Sequence, residues 1–216
     1  MSLTSHLRKQ GKLILNFLKS PGDFKYNDVS NSNKLKAVLR IVLIELIVVI
    51  PVGLIVYGME EAGILFFPDH AIEELVDKMS IALVLLGAVV FAPIVEEILF
   101  RGFITLRRFY PLILVIDLAE ALGKNRFRTL RIVLRVWTNC FPIIVYASIF
   151  AFGYAHVWNF KEEMPFWLIP IAVSPQLVAG LFLTYTRVRY GLIWSMLSHA
   201  TTNLIFLVLY YTVPLG

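Results

Sequence analysis

Pro93-Ile94-Val95-Glu96-Glu97-Ile98-Leu99-Phe100-Arg101-Gly102 ends an apolar run that begins at Ile81. In a soluble helix this is an ordinary solvated face. At membrane depth an ionised carboxylate costs several kcal/mol unless it is paired or hydrated, so two together read as a polar site. On a helix, Glu97 and Arg101 are i,i+4 neighbours with the acid first, the favourable order. Glu96 lies about 100° away and lacks that partner. Pro93 cannot donate an amide to Val89, which leaves a carbonyl open and permits a kink just before the pair.

Composition decides between the two settings. The chain has 216 residues, 58% hydrophobic and 16% charged, against about a quarter charged in soluble domains. The single Cys140 rules out an intrachain disulfide framework. The net charge of +5 falls in blocks between apolar runs. That is a membrane topology pattern rather than a nucleic-acid surface, and no nucleic-acid partner is expected.

Residues 1–36 form a basic, cytoplasmic N-terminal segment with no apolar signal core. It reads either as a surface helix with Leu7, Ile14 and Leu18 on one face or as a disordered tail. Residues 37–216 read as one transmembrane domain of five spans: Ala37–Tyr57, Ser80 to beyond Arg101, Phe141–Trp158, Phe166–Thr186 and Leu192–Val213. Each is near the ~20 residues a crossing needs. Pro111–Asp117 is too short and reads as an interfacial or re-entrant insertion. The expected fold is therefore all-α, a polytopic transmembrane bundle. Residues 1–40 and 101–136 each hold eight Lys/Arg against two acids, while 58–79 holds six acids and only Lys78. The positive-inside rule then puts the N-terminus in the cytoplasm and the C-terminus outside, in a plasma membrane read as prokaryotic.

Three further polar residues interrupt apolar spans: His156, His199 and Asn203, the last two i,i+4 on one face. With inner ends set at Arg108, Pro142 and Arg189, Glu96, His156, His199 and Asn203 fall roughly 15–21 Å deep. Glu45 in the first span does not join them and is read as loosely paired with Arg40 or snorkelling.

Glu96-Glu97-x-x-x-Arg101, Phe152-x-x-x-His156 and His199-x-x-x-Asn203 resemble the three motifs of the CPBP family. These are the CAAX-prenyl-protease and bacteriocin-processing (Abi) intramembrane proteases. The flanks Phe100-Arg101-Gly102 and Gly191-Leu-Ile-Trp194 agree, over about residues 80–210. An insertion around 111–136 lengthens the gap between Glu97 and His156.

The resemblance implies an intramembrane endopeptidase acting on a membrane-associated peptide or protein. Glu96 is the expected base for a water, His156 its holder and proton shuttle, and His199 and Asn203 the oxyanion donors. Glu97 and Arg101 would orient Glu96, with Phe152 structural. No metal is expected to be needed. The alternative is a zinc held by Glu96, His156 and His199, against which the sequence offers no acid near either histidine as an outer acceptor. Other protease plans fit less well: there is no Gly-x-Ser-x-Gly or His-Glu-x-x-His, Ser148, Ser195 and Ser198 lack a suitable setting, and Asp117 is alone. The competing class is a small transporter or bacteriocin-immunity protein using the same polar cluster to bind.

Overall fold

The computed structural model describes residues 3–68, 78–104 and 110–212. Among these, regular structure is helical, with no strand. The helices are α1 (Leu3–Lys19), α2 (Asn31–Glu61), α3 (Ile81–Ile104), α4 (Tyr110–Ala121), α5 (Arg126–Ala155, with a 3₁₀ tail His156–Asn159), α6 (Ser174–Tyr190) and α7 (Leu192–Thr212). The acidic stretch 69–77 and the inner end set at Arg108 lie outside the described residues.

The polarity of this bundle is inverted relative to a soluble one. Leu43, Ile47, Leu54 and Ile55 of α2 and Ile98 and Leu99 of α3 face outward. Glu45, Glu97, Arg101, Ser195 and Thr202 are buried. Lipid accepts the first set at no cost, and only partners inside the bundle can satisfy the second. The protein is an integral membrane protein with an all-α polytopic fold.

Four helices are long and apolar enough to cross: α2, α3, α5 with its tail, and α7. The expected fourth span, Phe166–Thr186, is not a single crossing helix. Pro165, Pro170 and Pro175 break it into turns, a short helix Ile169–Ala172, and then the 17 residues of α6. From Phe182 to Val188 every residue of α6 is buried, including Thr184, Thr186 and Arg187. It packs on α2, α5 and α7 and forms the centre of the bundle.

Two other segments differ from expectation. The 111–136 insertion is a helical hairpin in which α4 lies against the first half of α5. Gly123 turns it at φ +73°, and Asn125 caps α5 by accepting the Arg128 amide at 3.0 Å. Arg126 bridges back to Glu120 at 2.7 Å and Asp117 at 3.4 Å. The N-terminal segment takes the helical alternative, and α1 turns Gln10, Ile14 and Phe17 inward, with Leu7 and Leu18 half-buried beside them. Ile14 and Phe17 join the same core as Tyr185 and Ile104, and Gln10 donates to the Tyr185 hydroxyl at 3.0 Å.

Close approach of α5 and α6 depends on Gly153, where an added Cβ would sit 2.4 Å from Leu177 Cδ2 and 3.3 Å from Leu177 Cα. Small residues are what allow membrane helices to pack backbone to backbone. Gly153→Ala is expected to destabilise the bundle by about 1–3 kcal/mol, the usual cost of overpacking. Thermal denaturation in detergent, followed by the loss of the single folded species, measures it.

Candidate active site

The site begins with a defect in α3. Residues Leu86–Phe91 take a π-helical turn, in which the Ala92 amide reaches back to the Gly87 carbonyl. Continued in that register, the Ala88 carbonyl would receive the amide of residue 93, but Pro93 has none. The orphaned acceptor is therefore Ala88 rather than Val89, and Asn203 fills it: its Nδ2 donates to Ala88 O at 2.8 Å. One amide hydrogen of Asn203 is thereby committed to α3, and the other remains.

Beyond the turn, Ala92–Arg101 is regular α-helix, which sets Glu97 and Arg101 one turn apart. Arg101 Nη1 donates to Glu97 Oε1 at 2.5 Å, with both side chains fully buried. Each ion has further partners. Arg101 Nε donates to Thr184 Oγ1 at 3.2 Å and Nη2 to Gly180 O at 3.5 Å, while the guanidinium stacks 4.2 Å over the Phe152 ring. The Ser195 hydroxyl donates to Glu97 Oε2. His199 Nδ1 lies 3.1 Å from Glu97 Oε1.

These acceptors fix the histidines. A carboxylate already bound by arginine can only accept, so His199 presents N–H at Nδ1 and leaves Nε2 uncommitted. Nε2 faces Glu96 Oε2 at 3.7 Å. His156 Nδ1 sits 2.8 Å from the Phe152 carbonyl, which likewise makes Nδ1 the donor and leaves Nε2 free. Phe152 separates the two rings, edge-on to His156 at 4.8 Å and to His199 at 5.6 Å between centroids.

Glu96, His156, His199 and Asn203 line one cavity of about 540 Å³, together with Leu83, Ala88, Ala92 and Trp158. Three helices expected to converge do so, with these four polar side chains and Asn159 against an otherwise apolar wall. The type II CAAX prenyl endopeptidase Rce1-like family model matches residues 78–205, which takes in all of these residues. The chain belongs to this family. Among curated proteins and solved structures nothing matches. Rce1-like proteins are proteases, and the chain is in general terms an intramembrane protease of the CAAX type.

Several residues of this Rce1-like site stand differently from the sequence reading. Glu97, paired with Arg101, also meets His199 at Nδ1. Glu45 does not pair with Arg40 or snorkel: it is fully buried, facing Thr202 and close to the Glu97–Arg101 pair. Neither of its oxygens has a hydrogen-bond partner among the described residues. Arg187, read only as a topology charge, donates to the carbonyls of Arg101 (2.9 Å) and Gly102 (3.2 Å) and so caps the end of α3. Ser195, which has no setting for a nucleophile, lies four residues before His199 on the same face and donates to Glu97.

The zinc alternative changes its footing as well. Both histidines do have an outer acceptor at Nδ1, in Glu97 and the Phe152 carbonyl, so the objection drawn from their absence fails. Among the described residues, however, no three His, Cys, Asp or Glu side chains are grouped closely enough to hold a metal ion.

Removing Arg101 strands Glu97 as a buried, uncompensated charge, a loss of about 3–5 kcal/mol. Arg101→Ala is expected to lower the melting temperature sharply and to abolish accumulation in the membrane. Thr184→Val, which removes one partner only, should leave a folded protein with a smaller shift in the same melting assay.

Proposed function

We propose that the protein hydrolyses a peptide bond within a membrane-associated peptide or protein, using a water activated by Glu96. The observation that carries this reading is the asymmetry of the two glutamates. Glu97 is saturated by Arg101, Ser195 and His199, while Glu96 Oε2 has no hydrogen-bond partner among the described residues and lines the cavity. A general base must be free to take a proton from water.

Peptide hydrolysis also needs a donor for the oxyanion and a proton for the leaving amine. In the proposed sequence Glu96 takes a proton from water and the resulting hydroxide adds to the scissile carbonyl. The second amide hydrogen of Asn203 donates to the oxyanion. His199 and His156, each tied through Nδ1, face the reacting groups with Nε2. His199 supports the oxyanion when its Nε2 carries a proton as well as Nδ1, and His156 holds the water and relays the proton from Glu96 to the departing nitrogen. Glu97, braced by Arg101, keeps the His199 ring in place. No step passes through a metal. The basic ends of the helices support an N-terminus in the cytoplasm.

Glu96→Gln removes the base and keeps the shape, so cleavage should vanish while the melting temperature is unchanged. Comparison of membrane peptidomes from cells carrying the parent and the Glu96→Gln protein reads the first, and also separates a protease from a transporter, whose substrate would be moved uncut. Full activity in Glu96→Gln with loss in Glu97→Gln would reverse the assignment. Elemental analysis of active protein with a chelator titration should find no stoichiometric zinc; zinc whose removal and return switched cleavage off and on would refute the metal-free route.

A further inference from the structure

No residue of α2 lines the cavity, yet α2 packs on both α6 and α7 and turns one carboxylate inward. Glu45 sits in the buried stripe of Ala37, Ile41 and Val49 and is fully inaccessible. An apolar side chain would pack there without cost. A carboxylate stripped of water costs several kcal/mol, and apolar replacement of buried ions is often stabilising. Stability alone therefore gives no reason for an acid at this position.

Arg101 lies within electrostatic reach of Glu45, but its donors go to Glu97, Thr184 and Gly180. The group that Glu45 faces is the Thr202 hydroxyl of α7. Thr138, Thr186, Thr201 and Thr212 each donate to the carbonyl four residues back, at 2.7–2.8 Å. Thr202 makes no such bond, and its buried hydroxyl has no partner among the described residues. An acid lacking a donor and a hydroxyl lacking an acceptor thus face one another across the α2–α7 interface, each offering what the other needs.

Thr202 precedes Asn203 and lies three residues after His199, so one turn of α7 carries all three. Side chains reach about 5–6 Å from a helix axis, so a rotation of about 10° displaces their tips by about 1 Å. A misplacement of about 1 Å can cost on the order of 10²-fold in rate. The Asn203 latch at Ala88 O holds α7 to α3, and Glu45 gives the same turn a second hold, on α2.

We propose that Glu45 is a positioning residue of the proteolytic site, which through Thr202 sets the rotation of α7 and with it the aim of Asn203 and His199. The proposal rests on the protease reading given above, in which those two side chains serve the oxyanion. Oxyanion support acts in the transition state rather than in substrate binding, so its loss falls on kcat.

Four variants test it, on a fluorogenic peptide carrying a cleavage site returned by the peptidome comparison. Glu45→Leu and Thr202→Val should each lower kcat by about 10²-fold with KM unchanged, and neither should lower the melting temperature. Glu45→Gln keeps an acceptor oxygen for the Thr202 hydroxyl and should restore kcat to near the parent value. The double variant Glu45→Leu/Thr202→Val should be no slower than either single one, because both remove the same contact. Parent-like kcat in the two single apolar variants, additive losses in the double variant, or a Glu45→Gln protein as slow as Glu45→Leu would overturn the proposal. So would losses of rate that simply follow losses of melting temperature. The aim of His199 is also read without cleavage, from the ring resonances of isotope-labelled histidine in the detergent-purified protein. Its Nδ1–H signal, held by Glu97, should weaken in Glu45→Leu and Thr202→Val and persist in Glu45→Gln. A signal unchanged in all three overturns the positioning, whereas a parent protein that cuts no membrane peptide overturns the protease reading.

Discussion

The buried pair of Glu97 and Arg101 is the interaction on which the rest depends. Taking two ions out of water costs several kcal/mol each, and their attraction repays this only with good geometry and with the remaining donors and acceptors satisfied. Those further partners come from three other helices: Phe152 on α5, Thr184 and Gly180 on α6, and Ser195 and His199 on α7. Satisfying the ions and assembling α3, α5, α6 and α7 are therefore one event. The same bonds orient His199 toward the cavity, so the stability of the fold and the geometry of the site have a common origin.

Much of this was legible in the chain. Charges and amides inside apolar runs are rare enough to stand out, and helical spacing alone put Glu97 with Arg101 and His199 with Asn203. What spacing cannot give is the partner across a helix interface. Glu97, paired with Arg101, was expected to orient Glu96, whereas the pair's carboxylate also meets His199, 102 residues away. Glu45 failed for the same reason, since nothing local to α2 announces Thr202 on α7. The displaced carbonyl was placed at Val89 because an ordinary helical register was assumed; the wide turn moves it to Ala88.

The fourth span differs from its expected form for a different reason. Hydropathy cannot tell a helix surrounded by lipid from one surrounded by protein, because both environments are apolar. α6 was read as a crossing helix from its composition. Its hydroxyls and Arg187, buried among neighbouring helices, are the mark of the second environment. The prolines ahead of it were the available signal, and they place its start at Ser174.

The wide turn in α3 has a mechanical side. It divides the helix into two lengths with unequal anchoring. Ala92–Arg101 is clamped by the ion pair below, while Ile81–Leu85 lies beyond the turn that Asn203 latches at Ala88. A turn already released from the regular ladder bends at little further cost. Displacement of the upper length is absorbed there before it reaches Glu96. The floor of the cavity thus stays rigid while its wall yields, as a hinged panel moves on a fixed frame.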